Sequence, residues 1–349
     1  MQTKTLNLET ISEAAELIKA GQLVAFPTET VYGLGADATN ETAVKQVYLA
    51  KGRPSDNPLI VHIADVETVK KYAASLSPDA LKLMDAFWPG PLTLIFKLKP
   101  NVLSPAVTGG LDTAAFRFPD NQATLALIKA AGVPMVGPSA NTSGKPSPTT
   151  AEHVLHDLSG KIAAVVDDGP TRVGGVESTV LDMSVETPTI LRPGGVSKDE
   201  IEAVLAHPIN DEQHHVGIKE VPKAPGMKYK HYAPNAQVYI VDQPNDWPAV
   251  VRWINHHPQE IVGVMGTDDI INNIDWPENA RVVSLGADVQ SASHRLFDEL
   301  REFDNHSEVK SIFTQAFETT GLGGEAYMNR LNKSAGQSHF DQQMMENAD

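Results

Sequence analysis

Lys51-Gly-Arg-Pro-Ser-Asp-Asn-Pro-Leu-Ile-Val-His62 sets two cations one residue apart, an amide and an imidazole around two prolines and an apolar run. Before it, Glu41–Ala50 has the apolar spacing of a helix; within its end, Leu59–Ile63 reads as a short buried strand. A helix that hands over to a strand through a constrained loop is a unit of α/β architecture, and this loop carries groups that hold phosphates or carboxylates. A second segment, Gly137-Pro-Ser-Ala-Asn-Thr-Ser-Gly-Lys145, adds hydroxyls, an amide and glycines that let backbone N–H groups approach an anion closely.

Outward from these segments the same alternation continues. Leu23–Phe26, Leu92–Leu98, Thr113–Phe118, Met135–Pro138, Ala163–Asp167, Ser178–Asp182 and Thr189–Leu191 read as strands. Leu8–Ala20, Pro78–Phe87, Gln122–Ala131, Ala151–Leu158 and Lys198–Leu205 read as helices, with capping residues such as Thr150 and Ser197 at their starts. Several strands follow one another without a helix between them, so the expected sheet is mixed. Near residues 207–235 the periodicity stops: Lys219 to Pro234 holds three prolines, a glycine and four lysines. Beyond it, strands at Gln237–Val241, Ile261–Met265, Arg281–Ser284 and Ser311–Phe313 alternate with helices at Trp247–His256, Ala292–Phe303 and Gly323–Lys333. That rhythm predicts a smaller, Rossmann-like parallel α/β domain over 236–335, followed by a polar tail at 336–349. Gly263-Val-Met-Gly266 lacks the dinucleotide fingerprint.

With 349 residues, 41% of them hydrophobic, the chain can bury two cores. It has no cysteine, which excludes disulfides, thiolate metal sites and thiol catalysis and fits a cytoplasmic protein. No apolar stretch approaches membrane-spanning length. Residues 1–234 carry 21 Lys/Arg against 26 Asp/Glu, and residues 235–349 carry 7 against 18, so the net −16 is concentrated in the second part. Such a field disfavours stable nucleic-acid binding there.

The polar residues select a reaction type. No Walker A is present: Gly137 and Gly144-Lys145 have the wrong spacing, and Pro146 stands where a magnesium-binding Ser or Thr is needed; the kinase loop and zinc-protease motifs are absent too. What remains is a scatter of cations (Lys51, Arg53, Arg117, Arg192), hydroxyls (Thr28, Thr30, Ser139, Ser143, Ser147, Ser178) and amides (Asn57, Asn141) with no evident nucleophile or base. Such a set suits phosphoryl or nucleotidyl transfer, where positioning and charge neutralisation do most of the catalysis.

Seven motifs in order carry a family resemblance: Pro27-Thr-Glu-Thr-Val-Tyr-Gly-Leu-Gly35, the Lys51–His62 block, Phe87-Trp-Pro-Gly-Pro-Leu-Thr93, Arg117-Phe-Pro119, Pro138-Ser-Ala-Asn141, Glu177-Ser-Thr-Val180 and Arg192-Pro-Gly194. Together they resemble the threonylcarbamoyl-AMP synthases, the YrdC-like proteins. Pro225-Gly-Met-Lys-Tyr-Lys-His-Tyr-Ala-Pro234 and the domain after it resemble the long, two-domain form. The resemblance implies a YrdC-like catalytic domain over 1–206, with a twisted mixed sheet and flanking helices, and a linker and lid over 207–235.

It also implies an L-threonylcarbamoyladenylate synthase, a nucleotidyltransferase that makes threonylcarbamoyl-AMP and pyrophosphate from L-threonine, bicarbonate or CO2, and ATP with Mg2+. A downstream transferase machinery would place the threonylcarbamoyl group on tRNA position 37. In that reaction a carbamate anion must approach a polyanion; two unit charges about 4 Å apart interact by roughly 4 kcal/mol at an effective dielectric near 20, so clustered cations are needed.

By the same resemblance Thr30, His62, Arg117 and Ser178 would hold threonine, with Arg117 forking its carboxylate. Arg53, Asn57, Thr113, Ser139, Ser147, Arg192 and Tyr232 would contact ATP. Lys51 and Asn141 would stand near the phosphates, with Lys51 and Arg53 as the catalytic cations, and no residue is expected to ligate a metal directly.

Competing readings are specific. Thr28 and Thr30 have the spacing of residues alternating across a strand. Glu177 fits a cap or sheet position and stays outside the catalytic set. The adjacent pairs His214-His215 and His256-His257 point their side chains apart, which disfavours metal binding. Trp247, Trp253 and Trp276 are expected in the core, and Trp88 as a packing anchor where a helix stops. The rival functional class is an RNA-binding or regulatory YrdC-like module without catalysis, using the same four cations on RNA phosphates.

Overall fold

The structure, a computed structural model, describes residues 2–172, 175–211, 222–223, 232–319 and 323–341. By contacts the chain divides into two units, one of Met1–Ser143, Ser147–Val173 and Glu177–Tyr229, the other of Gly144–Pro146, Gly174–Val176 and Lys230–Asp349. The division after Tyr229 falls inside the 207–235 stretch where the periodicity stops.

In the first unit the strands are β1 (Lys4–Leu6), β2 (Val24–Phe26), β3 (Gly33–Asp37), β4 (Ile60–His62), β5 (Leu92–Lys97), β6 (Thr113–Arg117), β7 (Met135–Val136), β8 (Ala164–Val166), β9 (Thr179–Asp182) and β10 (Thr189–Arg192). They form one sheet in the order β1-β8-β2-β3-β7-β4-β6-β5-β9-β10. Pairing is parallel for β4–β6 and β5–β9 and antiparallel for β5–β6 and β4–β7, so the sheet is mixed as expected.

Around the sheet lie α1 (Ile11–Lys19), α2 (Glu41–Lys51), α3 (Glu67–Tyr72), α4 (Pro78–Phe87), α5 (Pro105–Thr108), α6 (Gln122–Ala131), α7 (Ala151–Leu158) and α8 (Lys198–Leu205). Their starts are written in the sequence: the side chains of Asn40, Ser77, Asn121, Thr150 and Ser197 each accept a hydrogen bond from the third residue on, which satisfies an otherwise orphaned N–H. Two short strands, β1 and β3, and the short helices α3 and α5 escape the periodicity reading. β3 is Gly-Leu-Gly-Ala-Asp, a composition with little strand propensity, and tertiary pairing with β2 and β7 holds it.

The second unit has β11 (Gln237–Val241), β12 (Ile261–Gly266), β13 (Ala280–Ser284) and β14 (Val309–Gln315) in a wholly parallel sheet of order β11-β14-β12-β13. Its helices are α9 (Trp247–His256), α10 (Asp268–Asn273), α11 (Val289–Asp304) and α12 (Gly324–Ala335). Trp247 and Trp253 are buried with Phe313 and Trp276 packs against them, the core role expected of all three. The segment after Gly336 departs from a polar tail at its start. Phe340 is buried against Phe313, and its N–H bonds the Ile240 carbonyl, because one large aromatic gains more by burial than the polar neighbours lose. Residues 342–349 lie outside the described residues.

Candidate active site

Strand alternation builds the site. Along β4, β6, β5 and β9 the side chains of Val61, Phe116, Leu94 and Leu181 enter the main hydrophobic core. Their neighbours Ile60, Ala115, Ile95 and Val180 form a separate small apolar cluster on the other face, with Leu191 against it. On that second face lie His62, Thr93, Thr113 and Arg117, all buried. Register sets their spacing: Arg117 stands opposite His62 on one side and Thr93 on the other. Ser178, directly before β9, joins this row through a 2.8 Å hydrogen bond between its hydroxyl and that of Thr93.

The turn between β2 and β3 closes over one end of the row. Thr28 and Thr30 do not alternate on a strand. Thr28 Oγ1 accepts from the N–H groups of Thr30 and Val31, donates to the Val31 carbonyl at 2.6 Å and lies 2.9 Å from Thr30 Oγ1, a side-chain-closed turn. Arg117 reaches this turn: its Nη2 donates to Thr30 Oγ1 at 2.9 Å and lies 2.7 Å from Glu29 Oε1. Burial pushes the His62 pKa down to about 3, with the nearby Arg117 charge adding to the shift, so the imidazole is neutral at physiological pH. Its Nδ1 is buried without a hydrogen-bond partner. A side chain at Gly137 would strike it, the added carbon falling 2.6 Å from Nδ1.

The expected phosphate groups gather on adjoining loops. Lys51 ends α2, and Gly52 follows in the left-handed conformation that a helix stop favours. The Lys51 ammonium is buried and donates to the carbonyls of Ser139 and Asn141 and to Asn141 Oδ1. Lys51 therefore organises the 139–141 loop as well as placing a charge there. That loop is tied to the threonine turn by the Ala140 N–H on the Tyr32 carbonyl and a bridge between Gly33 and Ser139. Arg53 Nη2 donates to the carbonyls of Asn57 and Pro58, while Asn57 Oδ1 is buried and unpartnered. Arg192 Nη2 donates to the Ser178 carbonyl at 2.8 Å and lies 3.3 Å from its hydroxyl. Ser147 Oγ donates to Glu177 Oε1 at 2.9 Å, which gives Glu177 a holding role beside Ser178.

Twelve of the thirteen expected residues thus belong to the first unit; Tyr232 is placed in the second, where its ring stacks on Phe297 with centroids 5.0 Å apart. Residues 224–231 of the expected lid, and His214-His215, lie outside the described residues. His256 and His257 each contact a carbonyl of their own helix, Arg252 O and Trp253 O, instead of converging. Trp88 stops α4 and donates its indole N–H to the Leu92 carbonyl, the anchor role expected of it. Sequence reasoning missed Thr93, Glu29 and Glu177 as site members. The signal for Glu29 was an acidic residue inside a turn whose neighbours are otherwise uncharged. Among the described residues no helix is long and apolar enough to cross a membrane.

Comparison with known proteins gives the chain a family. Residues 16–194 match the sequence model of the Sua5, YciO and YrdC family described as "Telomere recombination", and residues 196–336 match "Threonylcarbamoyl-AMP synthase, C-terminal domain". The chain is 48% identical to the threonylcarbamoyl-AMP synthase of Bacillus subtilis and 45% identical to that of Pyrococcus abyssi, with 93% of each chain covered in both cases. A crystal structure of P. abyssi Sua5 complexed with L-threonine superposes with a TM-score of 0.89 at 41% identity, covering 97% of this chain and 99% of that one. The buried row on β4, β6, β5 and β9 is therefore read within a known family: the chain belongs to the threonylcarbamoyl-AMP synthases, in the form that carries the C-terminal domain.

Proposed function

We propose that this protein is an L-threonylcarbamoyladenylate synthase, a nucleotidyltransferase that serves tRNA modification in the cytoplasm. The observation that carries the reading is the convergence of Thr30, His62, Arg117 and Ser178 around one buried sheet face, tied through the 139–141 loop to Lys51. Family membership and the likeness to a Sua5 structure complexed with L-threonine support it.

The chemistry follows from the placement. The neutral threonine amine bonds the carbon of CO2 while one C=O electron pair moves onto oxygen and the nitrogen loses a proton to water, giving a carbamate; from bicarbonate the same carbamate forms with loss of one water. One carbamate oxygen then attacks the α-phosphorus of ATP while the bond to the pyrophosphate leaving group breaks. Arg117, with Thr30 fixing one Nη2 contact, would hold the amino acid. Neutral His62 supplies a hydrogen-bonding nitrogen without adding a second cation beside Arg117. Lys51 and Arg53, locked onto loop carbonyls, would offset the phosphate charge at no cost of reorganisation. Ser139, Asn141, Ser147, Arg192, Asn57, Thr113 and Tyr232 would contact the nucleotide. The magnesium that the resemblance implies would arrive with ATP, bound to its phosphate oxygens and to water.

The RNA-binding alternative fits less well. Lys51, Arg53, Arg117 and Arg192 are all at least nine-tenths buried, whereas cations that track a nucleic-acid backbone must be accessible to it. Pyrophosphate release decides between them: it should require threonine and bicarbonate together, and release indifferent to either would remove the synthase reading.

A further inference from the structure

We infer that Glu29 binds the ammonium group of the amino-acid substrate and makes the pocket selective for a zwitterion, an inference that rests on the threonine reading of the site. Glu29 is 2% exposed, in the turn that also supplies Thr30. Its Oε1 lies 2.7 Å from Arg117 Nη2, yet neither carboxylate oxygen accepts an aligned hydrogen bond. Arg117 Nε is likewise buried and without a partner. A buried acceptor and a buried donor left open side by side are costly unless something completes both.

The chemistry of the missing partner can be read from the two groups. Glu29 has only acceptor capacity and needs a cationic or N–H donor; the open Arg117 nitrogen needs an acceptor. An α-amino acid carries both, an ammonium and a carboxylate on one carbon, and its net charge of zero matches that of the Glu29–Arg117 pair. A lone buried Arg would take any small carboxylate. The added Glu disfavours anions that have no compensating positive charge, which is selection by repulsion as well as by attraction. The composition of the turn agrees: the Thr28 hydroxyl reaches past Glu29 to bond the backbone of Thr30 and Val31, and the turn it closes holds the carboxylate beside Arg117.

Calorimetric titration of the full chain with L-threonine, and with 2,3-dihydroxybutanoate in which a hydroxyl replaces the ammonium, tests this. The wild type should prefer threonine by at least about tenfold, and E29Q should lose most of that preference by weakening threonine alone, with ATP affinity unchanged. Equal weakening of both ligands would make Glu29 only a brace for Arg117 and overturn the inference, as would an unchanged preference. A second measurement needs no variant: wild-type affinity for threonine should fall as its ammonium deprotonates at alkaline pH while that for dihydroxybutanoate does not follow. A threonine affinity flat through that titration also overturns it. A wild type that fails to bind threonine sinks the synthase reading and this inference together, whereas threonine binding indifferent to E29Q sinks this inference alone.

Discussion

The two faces of β4, β5, β6 and β9 differ by one step along each strand and by a complete change of chemistry. One face sends Val61, Leu94, Phe116 and Leu181 into a continuous hydrocarbon core. The other surrounds a small apolar patch with His62, Thr93 and Arg117, and here His62 Nδ1 and Arg117 Nε are buried with no hydrogen-bond partner. Each such group costs about 1–3 kcal/mol relative to a satisfied one. The first face supplies the stability that the second spends on groups held ready for a ligand, so substitutions on the two faces should separate stability from binding.

The largest effect is expected on the core face. Phe116 is fully buried, with Tyr72 and Phe96 rings 5.9 and 6.4 Å from its own. F116A should destabilise the first unit by about 3–5 kcal/mol in denaturant titration, while threonine affinity per folded molecule changes by less than about tenfold. If affinity collapses as far as stability does, the faces are not separable. Lys51 gives the opposite pattern: K51A should cut turnover at least about 100-fold through loss of a fixed charge and of the loop it holds. It should also cost about 1–3 kcal/mol of stability, since the Ser139 and Asn141 carbonyls lose their donor. Near-wild-type turnover would take Lys51 out of the site.

How much of this was legible in the sequence follows from what each residue depends on. The capped helices α4, α6, α7 and α8 stand where their apolar spacing and cap residues put them, because those signals are local. The mixed sheet was legible from strands that follow one another directly. β3 was not, because glycines carry no strand signal and its partners β2 and β7 are distant in sequence. At the site, the motif residues were legible as a set, but not their pairing. That Arg117 meets Glu29 depends on a turn placing its carboxylate opposite a strand some ninety residues later, which no local pattern records. The bonding of Lys51 to loop carbonyls was hidden for the same reason.

A smaller effect should come from His62. Its pKa falls from 6.5 to about 3 on folding, so the unfolded chain takes up the proton first as pH drops. Above pH 6.5 its contribution is constant; below, stability declines as the pH moves toward 3, by about 2 kcal/mol between pH 6.5 and 5. Urea titrations of the wild type and H62Q across that range should show a shallower acid slope for the variant. Equal slopes would mean that the imidazole is not held neutral, and the contrast between the two faces would lose one of its buried polar members.

The smallest expected effect is the most direct test of what the polar face recognises. Thr30 Oγ1 already accepts from Arg117 and shares a hydrogen with Thr28, while His62 keeps an open ring nitrogen. A substrate hydroxyl would complete this set, whereas valine, close to threonine in shape, would bury the same groups against a methyl and leave them unpaired. Serine would restore the hydrogen bond but lose methyl contact with the patch of Ile60, Ala115 and Val180. Pyrophosphate release with threonine should therefore exceed that with valine by at least about tenfold, and serine should fall between them. An order of threonine, then valine, then serine would mean that the apolar patch governs selection and that the polar atoms face some other part of the substrate. Equal rates for all three would show that the side chain is not read at this face at all.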